Sequence, residues 1–363
     1  LVSGEALNHS GTATIGSANA GSYTISNLSG ISIADGSGGA ASNYTLTGGT
    51  HNFTVNRRVV GVSGTRLYDA TTNAVASDLS THANLVGSQT LNLSGTGTIA
   101  SKNVGSNKTV SVGTLALADG SNGGLAANYT LTGGTHQLTV NQRPLNATLA
   151  RQYDGTTASA GSTLSSFNAL QGGETLTMTG SGTAASANVA NGITMSSNGN
   201  LALANGTGAA SNYSLNSTVI NVTKRVLNSS GSKTYDANTN ALAGAITLSN
   251  LVSGEALNHS GTATISSANA GSYTISNLSG ISIADGSGGA ASNYTLTGGT
   301  HNFTVNRRVV SVQGSKTYDG NTTISTGNIT SVTGTVGSQT LVISGGSGTV
   351  SAANVATYSS AAI

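Results

Sequence analysis

Apolar and polar residues alternate in short runs along most of this chain. Within residues 257–306, the runs LNHSGTATI, GSYTISN, SGISIADG, NYTLTGG and HNFTVN place Ile, Leu, Val and Tyr between Thr, Ser and Asn. A period of two is typical of a strand that buries one face. Glycine, asparagine and serine separate the runs about every 8–12 residues, which indicates an all-β sandwich or barrel.

The pattern itself recurs at a longer interval. A Tyr-Asp pair and a second marker, Asn-Tyr-(Thr/Ser)-Leu, each return about every 83 residues, so the chain is a tandem array. The Tyr-Asp tyrosines are Tyr68, Tyr153, Tyr235 and Tyr318, and the second marker supplies Tyr44, Tyr129, Tyr213 and Tyr294.

The two markers set the expected repeat boundaries. We predict an N-terminal partial repeat (1–58), whole repeats 1 (59–143), 2 (144–225) and 3 (226–308), and a C-terminal partial repeat (309–363). Residues 1–60 match 251–310 except that Gly16 stands opposite Ser266, which indicates a recently copied three-repeat unit. Because both ends fall inside a repeat, we expect the sequence to be a window onto a longer protein.

Each whole repeat is expected to fold as a separate module. The second marker is similar to the tyrosine corner of immunoglobulin-like sandwiches, in which the ring packs inward and the hydroxyl holds the backbone of the preceding turn. We therefore predict tandem immunoglobulin-like β-sandwich modules. Two alternatives stay open, namely β-grasp-like modules and a parallel β-solenoid, although the uneven marker spacing favours separate modules.

The junctions between modules contain no linker rich in proline or glycine. In HNFTVNRRVVSVQGSKTYD (301–319) and its relatives, a last strand runs directly into the next first strand. A continuous strand predicts a stiff rod that rises roughly 33 Å per module, from about ten strand residues at about 3.3 Å each. The basic residues at these junctions are Arg57, Arg58, Arg143, Lys224, Arg225, Arg307 and Arg308.

Composition excludes several classes of function. Only 7% of residues are charged, the net charge is +2, and the basic runs are too short for a phosphate-binding surface, so we expect no nucleic-acid partner. Apolar runs are too short for a membrane-spanning helix. The chain has no cysteine, which excludes disulfides and thiolate metal sites.

The Tyr-Asp pair is the strongest candidate for a local role. We expect its aspartate to accept backbone N–H bonds two residues on, and its tyrosine to pack at the module boundary. A ligand contact repeated along the array is the alternative, but one acid per module is too few for calcium. The aspartates are Asp69, Asp154, Asp236 and Asp319.

No residue pattern indicates an enzyme, a metal site or a cofactor. His51, His136 and His301 each stand alone in their modules, and no serine lies in a nucleophile motif. Four sequons at the second marker are candidates for glycosylation, although Asn, Ser and Thr are common throughout the chain. Their asparagines are Asn43, Asn128, Asn212 and Asn293.

The motifs in their fixed order resemble a known family. Four segments resemble the YDG-type repeats of very large bacterial surface proteins. They are SKTYDGNTT (315–323), LSGTGTIASKNVGSNKTVSV (93–112), ANYTL (127–131) and TVNQR (139–143). Those proteins include filamentous-haemagglutinin-like adhesins exported by two-partner secretion. The likeness covers essentially the whole chain, with Tyr-Asp-Ala replacing Tyr-Asp-Gly at 68–70 and 235–237.

The resemblance implies an extracellular bacterial protein of the cell surface or biofilm matrix. Its expected function is that of a structural stalk that holds a distal binding domain away from the cell. Expected partners are the neighbouring repeats, other copies through lateral self-association, and matrix polysaccharide. Repeated glycan-binding modules and a self-assembling filament subunit remain as alternatives.

Overall fold

The computed structural model describes residues 1–359, whose regular secondary structure is β-strand and short 3₁₀ helix (η). The chain forms two compact units. Unit 1 comprises Leu1–Ala147, Ala160–Ser181 and Gly199–Thr218, and unit 2 comprises Thr148–Ser159, Gly182–Asn198 and Val219–Ile363.

The elements of unit 1 begin with those of the N-terminal partial repeat and repeat 1. The partial repeat contains β1 (Leu7–Gly11), β2 (Gly21–Thr24), β3 (Ile31–Asp35), η1 (Ala41–Asn43) and β4 (Asn52–Val55). Repeat 1 contains β5 (Arg58–Val59), β6 (Gly61–Leu67), β7 (Asn73–Val75), η2 (Ala76–Asp78), β8 (Thr81–Ala83), β9 (Leu91–Ser94), β10 (Thr96–Ile99), β11 (Gly105–Ser111), β12 (Ala116–Asp119), η3 (Ala126–Asn128), β13 (Tyr129–Thr130) and β14 (His136–Asn141).

Repeat 2 has a similar order of elements along the chain. It contains β15 (Arg143–Gln152), β16 (Ala158–Ala160), η4 (Gly161–Thr163), β17 (Leu164–Phe167), β18 (Leu176–Thr179), β19 (Ser181–Ala184), β20 (Ala190–Ser197), β21 (Ala202–Asn205), η5 (Ala210–Asn212) and β22 (Tyr213–Thr223). The division between the two units falls within this repeat.

Repeat 3 and the C-terminal partial repeat belong to unit 2. Repeat 3 contains β23 (Arg225–Val226), β24 (Asn228–Thr234), β25 (Asn240–Leu242), η6 (Ala243–Ala245), β26 (Ile246–Ser249), β27 (Leu257–Ile265), β28 (Gly271–Asn277), β29 (Ile281–Asp285), η7 (Ala291–Asn293), β30 (Tyr294–Thr295) and β31 (His301–Asn306). The partial repeat contains β32 (Ser311–Gly314), β33 (Thr323–Ser325), η8 (Thr326–Asn328), β34 (Ile329–Thr333) and β35 (Ser347–Thr349).

Repeat 1 is built from two sheets that share one core. Its larger sheet has the order β7-β10-β11-β14-β6-β8, and β9 pairs with β12 in a smaller sheet. Val62 and Leu138 of the larger sheet join Leu91 and Leu117 of the smaller sheet in one apolar cluster. This arrangement is a thin sandwich, which the alternation of small apolar side chains predicts.

Repeat 3 shows the same design in unit 2. Its sheet has the order β25-β27-β28-β31-β24-β26, and β29 pairs with the first part of β27. Ile265, Ile275, Phe303 and Val305 form its buried centre. The prediction of an all-β tandem array is therefore confirmed.

The sheets are mixed, and this feature distinguishes them from a purely antiparallel immunoglobulin sandwich. The first long strand and the last strand of a repeat pair in parallel, β6 with β14 and β24 with β31. The other ladders of these two sheets are antiparallel. A parallel solenoid would consist of parallel ladders throughout, so that alternative does not describe repeats 1 and 3.

No helix within residues 1–359 is long and apolar enough to cross a membrane.

Candidate functional site

The Tyr-Asp tyrosines of repeats 1 and 2 reach a glutamate in the repeat that follows. Tyr68 is fully buried, and its hydroxyl donates to Glu174 Oε1 at 2.6 Å. Tyr153 is also buried, and its hydroxyl donates to Glu255 Oε1 at 2.6 Å. The motif tyrosine therefore lies at a boundary between consecutive repeats.

Each of these glutamates receives a second hydroxyl from its own repeat. Tyr213 donates to Glu174 Oε2 at 2.8 Å, and Tyr294 donates to Glu255 Oε2 at 2.7 Å. One carboxylate thus accepts from two tyrosines of different repeats. We call each such group, Tyr68–Glu174–Tyr213 or Tyr153–Glu255–Tyr294, a tyrosine–acid junction.

The two tyrosine rings of each junction also pack against each other. The Tyr68 and Tyr213 ring centroids lie 5.3 Å apart with the planes at 78°. The Tyr153 and Tyr294 centroids lie 5.5 Å apart at 79°. Edge-to-face aromatic pairs of this kind contribute about 0.5–1.5 kcal/mol beyond their buried area.

The glutamate ends a four-residue turn that the second-marker tyrosine holds in place. The Glu174 N–H donates to Gln171 O at 2.9 Å, and the Gln171 N–H donates to the Tyr213 hydroxyl at 3.2 Å. In repeat 3 the Val252 N–H donates to the Tyr294 hydroxyl at 3.0 Å. The hydroxyl predicted to form a tyrosine corner therefore holds a turn about 40 residues upstream, rather than the turn immediately before it.

The immediately preceding turn is held by another side chain. Asp119 Oδ1 accepts the N–H of Ala126, the first residue of η3, at 2.7 Å, and Asp285 does the same for Ala291 of η7. Asn205 replaces the aspartate in repeat 2 and accepts from Ala210 at 2.8 Å. These residues fix the short helix that ends next to the second-marker tyrosine.

The Glu174 junction is the more highly charged of the two junctions. Its side chain is 9% exposed, and Lys102 Nζ lies 2.7 Å from Oε1. Burial alone raises the pKa of Glu174, but hydrogen bonds from Lys102, Tyr68 and Tyr213 outweigh burial and hold that pKa below its usual value. Lys102 Nζ also lies 5.9 Å from the Tyr68 ring centroid, within cation–π range. Repeat 2 has Ala187 at the position of Lys102, so the Glu255 junction has no such cation.

The junction tyrosines resist ionisation. Burial, followed by the hydrogen bond to Glu255, raises the pKa of Tyr153 to about 12. Burial also raises the pKa of Tyr213 to about 12, with a further contribution from Glu174. Ionising either phenol would place a second negative charge against the carboxylate.

The asparagine before the second-marker tyrosine forms a separate link to the preceding repeat. Asn212 Oδ1 accepts the Val104 N–H at 2.9 Å, and its amide donates to Asn103 Oδ1 at 3.0 Å. Corresponding bonds join Asn293 to Val189 and Asn188, and join Asn128 to Ala20 and Asn19.

These links bear on the predicted glycosylation sites. Asn212 and Asn293 are each 1% exposed with both amide atoms hydrogen-bonded, so a glycan cannot be attached to either side chain in the folded chain. Asn128 is half-buried and its amide makes the same bonds. Asn43 is exposed. The sequons at Asn212 and Asn293 therefore encode structural asparagines.

The Tyr-Asp aspartates each close a short turn. Their Oδ1 atoms accept N–H bonds two residues on, from Thr71 to Asp69, Thr156 to Asp154, Asn238 to Asp236 and Asn321 to Asp319. A basic residue three positions earlier pairs with the same carboxylate. The pairs are Arg66–Asp69, Arg151–Asp154, Lys233–Asp236 and Lys316–Asp319.

The residue after Tyr-Asp lies in the left-handed backbone region. Its φ angle is 77° at Gly155 and 76° at Gly320, and 66° and 61° at Ala70 and Ala237. Glycine adopts this conformation without steric cost, which explains why it occurs at this position of the motif. The two alanines show that the conformation is kept when glycine is absent.

The junction basic residues fall into two groups. Arg143 Nε donates to Tyr68 O at 2.6 Å and so holds the backbone of the motif tyrosine. Arg225 combines both roles, because it donates to Asn250 O at 2.6 Å and Asn250 Oδ1 at 2.9 Å and makes a longer bond of 3.4 Å to Tyr153 O. Arg58 donates to Asn84, and Arg308 donates to Gly334 O at 2.7 Å. The residues that precede three of them, Arg57, Lys224 and Arg307, are exposed.

Three of the remaining four predicted tyrosines occupy variants of the same arrangement. Tyr129 pairs with Gln89, and Tyr44 pairs with Glu5. Tyr235 accepts from Gln339 Nε2 at 2.7 Å, while Tyr318 is 65% exposed. The position of the junction acid is therefore occupied by Glu5, Gln89, Glu174, Glu255 and Gln339.

Sequence reasoning missed this acid position. Its partner tyrosine lies about a hundred residues away in the chain, so no local motif contains both residues. A signal was nevertheless present, because the only three glutamates of the chain, Glu5, Glu174 and Glu255, all occupy this one position.

The histidines have structural contacts. Nε2 of His51, His136 and His301 lies 2.8, 2.9 and 2.8 Å from the carbonyl oxygen of Leu46, Leu131 and Leu296, respectively. Each ring thus holds the turn before the last strand of its repeat. Within residues 1–359, no group of three or more His, Cys, Asp or Glu side chains is placed to hold a metal ion.

The chain matches the YDG domain family in three consecutive copies, over residues 54–139, 136–220 and 221–301. These copies together cover more than half of the chain, and each begins and ends a few residues ahead of the corresponding predicted repeat. No curated protein matches the chain.

Proposed function

The chain belongs to the YDG domain family, and on that premise we propose that it is a structural stalk of a long extracellular bacterial adhesin or biofilm-matrix fibre. The stalk holds a distal binding domain away from the cell surface. Export by two-partner secretion, as in the filamentous-haemagglutinin-like adhesins that the motifs resemble, is part of the same proposal.

The observation that carries this proposal is the tyrosine–acid junction. A half-buried carboxylate accepts two charge-assisted hydrogen bonds, one from each of two consecutive repeats, and such bonds contribute about 1.5–3 kcal/mol each. The asparagine links add further bonds at the same boundaries. Repeats joined in this way resist bending at the junction, which is the property that a stalk requires.

The surface chemistry fits a protein that works outside the cell among its own copies. Few charges and many Thr, Ser and Asn residues give weak long-range repulsion and many hydrogen-bonding groups. We therefore propose lateral self-association and contact with matrix polysaccharide as its interactions. The low aromatic content of 4% supports a stalk over a row of glycan-binding modules.

Immunogold electron microscopy of the producing bacterium tests the location and the role together. An antibody raised against residues 59–308 should label extended fibres outside intact cells, with the label spaced along each fibre. Labelling confined to the cell interior would contradict the stalk. Binding of isolated repeats to a glycan array would favour the glycan-binding alternative.

A further inference from the structure

The first and last strands of a repeat form an unusually direct pair. In repeat 1, Val62 to Leu67 of β6 lie opposite His136 to Asn141 of β14, in parallel and without a register shift over six residue pairs. In repeat 3, Ser229 to Thr234 of β24 lie opposite His301 to Asn306 of β31 in the same way. At the start of each repeat, a short strand pair extends this parallel contact by two residue pairs, β5 with β13 in repeat 1 and β23 with β30 in repeat 3.

This pairing determines how tension along the chain would act on a repeat. The chain enters repeat 1 at the beginning of β6 and leaves it at the end of β14. Because the two strands are parallel, these points lie at opposite ends of the pair. Tension therefore pulls the strands lengthwise past each other and loads all their hydrogen bonds together, whereas pulling at one end would break them one at a time.

Much of the pair is also shielded from water, because β8 covers Gly61–Ser63 of β6 and β11 covers β14. In the sheet of repeat 1, β6 lies between β14 and β8, and β14 lies between β6 and β11. Val62, Leu138 and Val140 are buried at 1% exposure or less. Water therefore cannot easily replace the strand hydrogen bonds as they stretch, since the partners are central in the sheet and covered by the core.

The motif tyrosine makes the same backbone hydrogen bond near the end of the last strand in all three whole repeats. The Tyr68 N–H donates to Asn141 O, the Tyr153 N–H to Thr223 O, and the Tyr235 N–H to Asn306 O, each at 2.9 Å. The residue whose side chain enters a junction therefore also ends the strand pair through its backbone.

Tension passes from one repeat to the next through the same strands. β14 ends at Asn141 and β15 begins at Arg143, with only Gln142 between them. The strands β7 to β12 lie between β6 and β14 in sequence, so they bear no chain tension until β6 and β14 separate.

We propose that each YDG repeat is a shear clamp, in which the parallel pair of first and last strands carries tension and resists mechanical unfolding. This inference deepens the proposed stalk function and rests on it for its biological purpose. It makes force resistance a property of a strand pair within each repeat, separate from the junctions between repeats.

Force spectroscopy on the full chain with two pulling directions tests the clamp. The chain has no cysteine, so two engineered cysteines define the attachment points. Handles at Arg57→Cys and Asn141→Cys pull the strands lengthwise. Handles at Arg57→Cys and Thr135→Cys pull the same pair apart from its starting end, and all three side chains are exposed.

The clamp predicts a several-fold higher unfolding force for the 57/141 handles than for the 57/135 handles. Both directions release similar lengths of chain at about 3.6 Å per residue, so the same unfolding event is compared. Urea unfolding of the two variants is the matched control and should give equal free energies. Equal unfolding forces in the two directions, or a higher force for 57/135, would overturn the clamp.

The outcome separates the clamp from the stalk. Equal forces would refute the clamp and leave the stalk standing if the fibres are labelled outside the cell. A direction-dependent force together with purely intracellular labelling would refute the stalk and keep the clamp.

Discussion

The tyrosine side chains at the junctions make hydrogen bonds that an exposed tyrosine elsewhere in the chain does not make. The hydroxyl of Tyr213 both donates to Glu174 and accepts from the Gln171 backbone. The hydroxyl of Tyr273, in contrast, makes one long contact of 3.5 Å with Ala270 O in an exposed place. The tyrosine hydroxyl should therefore contribute more to the free energy of unfolding at Tyr213 than at Tyr273.

Substitution of Tyr213 by phenylalanine should destabilise the chain by about 1.5–3 kcal/mol, because it leaves an oxygen of Glu174 and the Gln171 N–H without a partner. Tyr273→Phe is the matched control and should change the free energy of unfolding by less than about 0.5 kcal/mol. Urea denaturation of both variants measures the difference. Equal effects would mean that the Tyr213 hydroxyl does not stabilise the junction.

The glycine of the Tyr-Asp-Gly motif offers a second test at the residue scale. A Cβ on Gly155 would lie 2.9 Å from Val252 Cγ1, whereas a Cβ on Gly320 would meet no atom within 4 Å. Both positions have nearly the same φ, so alanine should cost about 1–2 kcal/mol of backbone strain at each.

Gly155→Ala should therefore cost more than Gly320→Ala, by about 1–3 kcal/mol for the added crowding. Both variants have the same backbone strain. The difference between their free energies of unfolding in urea therefore measures the cost of the contact with Val252 across the repeat boundary. A Gly155→Ala chain no less stable than Gly320→Ala would show that Val252 moves aside freely.

At the scale of the element, each junction couples its folding to ionisation. Tyr153 and Tyr213 have folded-state pKa values of about 12, above the roughly 10 of an unfolded tyrosine. Their contribution to stability is therefore fully present below about pH 10 and is lost as the pH rises towards about 12.

Urea unfolding between about pH 9 and pH 12 should show the free energy falling across this window. Tyr213→Phe should make the fall shallower, since it removes one of the four junction phenols whose pKa is raised. An unchanged slope in the variant would contradict the assignment of the raised pKa to the buried junction.

Unfolding measurements at acid pH test the glutamate of the junction. Because the pKa of Glu174 lies below its unfolded value, its contribution is present above about pH 4.3 and is lost as the pH falls through the folded-state pKa. Glu174→Gln mimics the natural Gln89 and should remove this share of the acid-induced loss. A pH profile identical to that of the wild type would contradict the assignment of this acid-induced loss to the Glu174 carboxylate.

The sequence predicts the elements better than it predicts their partners. Alternation and turn residues predict strands because both signals are local, and β27 and β28 fall where the runs LNHSGTATI and GSYTISN predict them. The parallel pairing of β6 with β14 leaves no local trace, since the partners lie more than 70 residues apart. Glu174 and Lys102 were missed for the same reason, as each acts on a residue of another repeat.

At the scale of the whole molecule, we expect the number of contacts between repeats to increase with the number of repeats. Every whole repeat contributes one motif tyrosine to the boundary after it and one asparagine to the link before it. A longer chain therefore gains junctions in proportion to its repeats, and its stiffness does not depend on any single terminal contact.

Double electron–electron resonance on the full chain tests the central claim, that the tyrosine–acid junctions hold consecutive repeats in fixed positions. Spin labels on Arg57→Cys and Thr177→Cys, both exposed positions of unit 1, report the distance between the start of repeat 1 and repeat 2, across the Glu174 junction. The labelled chain should give one narrow distance distribution, and adding Glu174→Ala should broaden that distribution while circular dichroism shows that the repeats stay folded. A broad distribution with Glu174 intact, or an equally narrow one in the Glu174→Ala chain, would contradict the claim.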